Sequence, residues 1–87
     1  MFGLSAALYG GVNIEANAVR NANYDTQPVL RLADTPTIEV HIVPSDAAPG
    51  GCGEPATPVI APALVNAIRA ATGRALRQLP LREIFDV

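Results

Sequence analysis

Nine residues near the middle of the sequence, Gly50-Gly51-Cys52-Gly53-Glu54-Pro55-Ala56-Thr57-Pro58, most narrow what this chain can build. Three glycines loosen the backbone and two prolines each remove a hydrogen-bond donor, so neither a strand nor a helix can run through them. Regular structure must stop before this loop and restart after it. The loop carries one charge, Glu54, beside the start of a downstream helical run. There the free N–H groups of a helix N-terminus favour a carboxylate.

The flanks carry opposite periodicities. Upstream, "TIEVHIVPS" (37–45) sets Ile38, Val40 and Ile42 to one side and Glu39, His41 and Val43 to the other. That is the pattern of a half-buried strand ended by Pro44. Downstream, "PVIAPALVNAIRAAT" (58–72) reads as a helix with Ala61, Leu64, Ile68 and Ala71 on one face. Thr57 and Pro58 suit the N-cap and first turn, and Gly73 suits the stop. Pro62 either bends that first turn or shifts the start to about Ala61.

Before the strand, residues 1–9 read as the tail end of an apolar helix halted at Gly10 or Gly11. Val12-Asn13-Ile14-Glu15 and a returning run over 18–24 read as a β-hairpin turning at Asn17. Residues 25–36 read as an ordered loop around Val29, Leu30 and Leu32. The tail, 75–87, reads as a short extended piece and a terminal turn. The fold class is α+β: a hairpin and one further strand packed with one main C-terminal helix.

Composition sets the outer bounds. The chain has 87 residues, 49% of them hydrophobic, but with no Trp and many alanines each side chain buries little area. A single Cys rules out an internal disulfide. The chain is expected to lean on a partner or to be a piece of a larger protein. All six basic residues are Arg, dispersed, with few aromatics among them, against a net charge of −2. Nucleic-acid binding is therefore not expected. No apolar run approaches the roughly 20 residues that span a bilayer.

The run "IEVHIVPSDAAPGGCGEPATPVIAPALVNAIRAATG" (38–73) resembles the C-terminal end of the molybdenum-binding large subunit of the xanthine oxidase family. The likeness is greatest to its isoquinoline 1-oxidoreductase beta-subunit and bacterial aldehyde dehydrogenase branch. "FGLSAALYG" and "YDTQPVLRLADTP" fit the same pattern, so the resemblance spans nearly the whole chain. It implies that residues 1–87 are the C-terminal portion of a molybdopterin-binding domain rather than a complete domain. It also implies a molybdenum hydroxylase, which oxidises an aldehyde or N-heterocycle with water as oxygen source. The glutamate of its G-E-P motif, here Glu54, serves as general base. Gly51 and Gly53 then shape the loop against the cofactor, and no protein side chain ligates the metal.

By the same resemblance, molybdopterin is held mostly by upstream segments of the large subunit, which are expected partners of this chain. Electrons leave through iron–sulfur clusters on a small subunit. The 87 residues alone are expected to be inactive. A competing expectation is a non-catalytic chain, acting only as a docking piece or persisting as an inactive remnant. Cys52 is read as packing, His41 as structural, and Tyr24, Asp25 and Gln27 as turn residues. Arg69, Arg74 and Arg77 are read as a solvated helix edge. The sequence points to no particular compartment.

Overall fold

A computed structural model describes residues 1–84. In chain order it holds helix α1 (Phe2–Tyr9), strands β1 (Ile14–Glu15) and β2 (Ala18–Val19), and helix α2 (Ala56–Thr72). One-turn 3₁₀ helices lie at Leu32–Asp34 and Leu81–Glu83. The α+β class is borne out. The part of the expected terminal turn on residues 85–87 lies outside the described residues.

The packed part of the molecule is a wedge in which α1 lies against α2 and against the Leu81–Glu83 turn. An eight-residue helix is marginal on its own, so α1 depends on that contact. Thr57, Ile60, Ala61, Leu64, Val65 and Ile68 form the half-buried stripe of α2, at the i, i+3, i+4 spacing of a helix face. Ala71, expected on this face, is exposed. Gly3 sits where the helices come closest: a Cβ there would lie 2.5 Å from Ile60 Cγ2 and 2.8 Å from the Thr57 carbonyl oxygen. Among described residues, only Ala7 and Leu81 are fully buried apolar side chains. Leu81 fills the angle below α1.

Both helices stop at glycines, in different ways. Gly10 donates to the Ala6 carbonyl at 2.8 Å with extended backbone, φ −71°. Gly73 has φ +76° and donates to the Arg69 carbonyl at 2.8 Å, as expected of a left-handed cap. The start of α2 differs from expectation. It begins at Ala56 with Pro55 as N-cap, no side chain caps it, and Thr57 lies inside. The Thr57 N–H donates to the Glu54 carbonyl at 3.0 Å, which starts the turn early. Pro55, at φ −58°, ψ −29°, is already shaped for a helix.

The hairpin forms at the expected turn but is shorter than expected, pairing Ile14 with Val19 and Glu15 with Ala18; Val12, Asn13 and the rest of the returning run, 20–24, stay outside the strands. Ala16 (φ 49°) and Asn17 (φ 61°) make a two-residue turn with both centres left-handed, the geometry that matches strand twist. Asn21 ties the hairpin down: its Oδ1 accepts from the Asn13 N–H and its Nδ2 donates to the Thr26 carbonyl. The Arg20–Glu15 ion pair at 2.7 Å is well exposed and adds little.

Two expectations are corrected. The further strand over 37–45 does not form: the segment has no regular structure and is exposed throughout, with no neighbouring strand among described residues. Period-two alternation shows what a segment can bury, and here no described strand pairs with it. The loop core is also reduced. Leu30 is half-buried, its N–H donating to Ser5 Oγ at 3.0 Å, while Val29 and Leu32 face solvent. The Ala75–Leu79 piece pairs with nothing in the described sheet. The resulting outline is 55 × 32 × 25 Å with a radius of gyration of 16.3 Å. A compact chain of this length would have one of about 12 Å.

Candidate functional site

Glu54 stands at the rim of an open recess between the glycine loop and the start of α1. Gly51, Gly53, Pro55, Thr57 and Pro58 line one side and Phe2 closes the other. The sequence pattern singled out the loop but missed Phe2. Phe2 is 80% exposed, so most of its ring is open to the recess and to solvent.

The Glu54 side chain is exposed and makes no hydrogen bond or ion pair with any described residue. Its backbone carbonyl is used by Thr57, which anchors the residue one position before the Pro55 N-cap of α2. The lining contains no basic side chain, so nothing there neutralises the carboxylate. Such a group can accept a proton from whatever occupies the recess.

A Cβ at Gly50, Gly51 or Gly53 would meet nothing within 4 Å, and none of the three has positive φ. No contact or strain within the described chain requires glycine there. Their effect is to leave the Glu54 side of the recess free of side-chain bulk.

The other singled-out residues lie elsewhere. Cys52 is a free thiol on the surface, which corrects the packing role expected for it. His41 is exposed, its Nε2 3.7 Å from Glu39 Oε2 on the same segment. Tyr24, Asp25 and Gln27 line a separate hollow with Tyr9, Arg31, Asp34 and Arg82. Thr26, between them, closes a turn onto Asn23 through both its N–H and its hydroxyl, so the turn reading holds. The Arg82 guanidinium sits 4.9 Å from the Tyr9 ring centre, a cation–π contact the sequence did not signal. Arg69, Arg74 and Arg77 are exposed, but only Arg69 lies on a helix edge; α2 ends at Thr72, so Arg74 and Arg77 stand beyond it, which corrects the expected helix edge. No group of three or more His, Cys, Asp or Glu among the described residues could hold a metal ion directly. No described helix is long and apolar enough to cross a membrane.

No family model matches the chain, and no solved structure does. Two curated relatives match it along nearly its whole length. One is the membrane-bound aldehyde dehydrogenase [pyrroloquinoline-quinone] of Gluconacetobacter polyoxogenes, 40% identical over 82 residues, or 94% of this chain and 11% of the relative. The other is the isoquinoline 1-oxidoreductase subunit beta of Brevundimonas diminuta, 38% identical over 80 residues, or 92% of this chain and 10% of the relative. The chain thus spans about a tenth of the length of the relatives it matches. The resemblance carried by the G-E-P loop and its flanks is borne out: along nearly its whole length this chain is similar to a short segment of each of these two oxidoreductases.

Proposed function

We propose that the chain is the base-bearing C-terminal portion of a molybdenum hydroxylase acting on an aldehyde or an N-heterocycle, with Glu54 as general base. The observation that carries this reading is an unpaired carboxylate at the rim of an open recess walled by glycine and proline backbone and by Phe2. The homology to two oxidoreductases, one named for aldehydes and one for isoquinoline, gives that carboxylate a chemical setting. In this reading the open recess walled by side-chain-free loop backbone leaves room beside Glu54 for a cofactor held by other segments.

When bound, the molybdenum cofactor supplies oxygen activation and a two-electron acceptor. The residues of this chain do the remaining work. Glu54 takes up a proton at its free carboxylate oxygen and releases it to solvent through the open side of the recess. Gly51 and Gly53 leave room for cofactor and substrate to approach that oxygen, and Phe2 offers an apolar wall to a flat substrate. Other segments of the large subunit hold the pterin, and a small subunit with iron–sulfur clusters takes the electrons.

A second reading has one observation in its favour. The name of the Gluconacetobacter relative specifies pyrroloquinoline quinone, so the assembled enzyme could be expected to carry a quinone in place of molybdopterin. A proton-accepting Glu54 serves oxidation by either cofactor.

The test grafts this segment in place of its counterpart in the Brevundimonas beta subunit and compares Glu54 with Glu54→Gln. Turnover is expected to fall about 10²–10⁴-fold with cofactor content unchanged. Undiminished turnover would remove the base assignment. Metal analysis and a quinone assay on the same preparation separate the two cofactors. A graft that assembles with neither cofactor nor activity supports instead the non-catalytic reading, a docking piece or inactive remnant.

A further inference from the structure

Glu54 is placed beside the recess by its backbone. Its carbonyl accepts from the Thr57 N–H at 3.0 Å, and Thr57 stands in the first turn of α2. Gly3 of α1 lies against that turn. A Cβ on it would come within 2.8 Å of the Thr57 carbonyl oxygen, 3.3 Å of Thr57 Cα and 2.5 Å of Ile60 Cγ2. Glycine is among the poorest helix formers, and α1 has only eight residues. A glycine inside so short a helix needs a reason, and the contact with Thr57 supplies one.

We propose that Gly3 is a positioning residue for Glu54. The bare Cα at position 3 lets α1 seat directly on Thr57, and Thr57 fixes the backbone that carries the carboxylate. The proposal rests on the reading of Glu54 as general base and extends it to a residue on the other helix. The contact joins two elements of this chain, so it does not depend on what covers them from outside.

A methyl group at position 3 must move α1 or the Thr57 backbone by roughly 0.5–1 Å before the contacts become ordinary ones. α1 cannot take up the whole shift, because Ser5 Oγ accepts from the Leu30 N–H and the helix also packs on the Leu81–Glu83 turn. Part of it reaches the first turn of α2 and the residue tied to it. Misplacing a reacting group by about 1 Å can cost about 10²-fold in rate.

The test uses the assembled enzyme carrying the grafted segment. Gly3→Ala is expected to lower kcat about ten- to hundredfold with cofactor content unchanged. The double variant Gly3→Ala/Ile60→Ala removes the conflict with the Ile60 side chain and keeps the one with the Thr57 carbonyl, so the same loss is expected. Ile60→Ala and Leu81→Ala loosen the wedge without pressing on Thr57 and should leave kcat near that of the unsubstituted graft. Hydrogen exchange over residues 54–58, read by mass spectrometry, follows the position without catalysis. Pro55 and Pro58 have no N–H, so Ala56 and Thr57 dominate the signal. Exchange there is expected to quicken about two- to tenfold in both Gly3→Ala chains and in neither control. Normal kcat in the double variant, unchanged exchange, or an equal loss of kcat in Leu81→Ala would overturn the proposal. So would a double variant that fails to assemble where Ile60→Ala succeeds, which would assign Gly3 to folding alone. If Glu54→Gln itself is fully active, the base reading falls, and the exchange comparison still decides whether Gly3 holds the Glu54 turn.

Discussion

The helical wedge and the stretch from 37 to 53 carry comparable sequence signals and reach different ends. In the wedge, the stripe Ile60, Ala61, Leu64 and Ile68 finds α1 across from it, and Leu81 is sealed beneath. In the other region, Ile38, Val40 and Ile42 alternate as cleanly but stay in water. Periodicity states a demand for burial, and only a neighbour can meet it. Where the neighbour is present the element forms; where it is missing the same kind of pattern remains coil.

Substitutions can break this contrast or sharpen it. The largest effect is expected from Gly3→Val, which drives a branched side chain into Ile60 and the Thr57 carbonyl. With backbone as the obstacle the cost exceeds that of ordinary overpacking, about 1–3 kcal/mol, and the wedge is expected to come apart, which far-UV circular dichroism should show as loss of helix. Retained helicity would mean that the close approach of α1 and α2 does not hold the wedge. Leu81→Ala comes next, at about 2–4 kcal/mol, measured by urea titration in parallel with wild type. Gly73→Ala meets no neighbouring atom and pays only for positive φ, about 1 kcal/mol. A loss near zero would show that the end of α2 can unwind at no cost. Smallest of all, Ile42→Ser at low protein concentration should stay within about 0.5 kcal/mol of wild type. A loss comparable to that of Leu81→Ala would mean the 37–45 stretch is packed after all.

Much of the wedge was legible in the sequence, because helix stops and stripes are local signals. Gly10 and Gly73 marked both ends correctly, and Asn17 marked the turn. The start of α2 was misplaced because Thr57 looked the better cap, while Pro55 had the right backbone shape. Gly3 and Phe2 were invisible as determinants, since their importance comes from residues more than fifty positions away. In the site, Glu54 stood out as the only charge in a loop of glycine and proline, and the recess beside it came from folding. The strand over 37–45 was misjudged because one sequence does not say where the next strand lies.

The elongated outline has a consequence for how the molecule behaves in a column. A radius of gyration of 16.3 Å is that of a compact chain of roughly 190 residues, more than twice the length of this one. A lone chain should therefore run ahead of spherical standards and pass for a pair. Elution volume alone would count two molecules where one is present, whereas absolute mass would not.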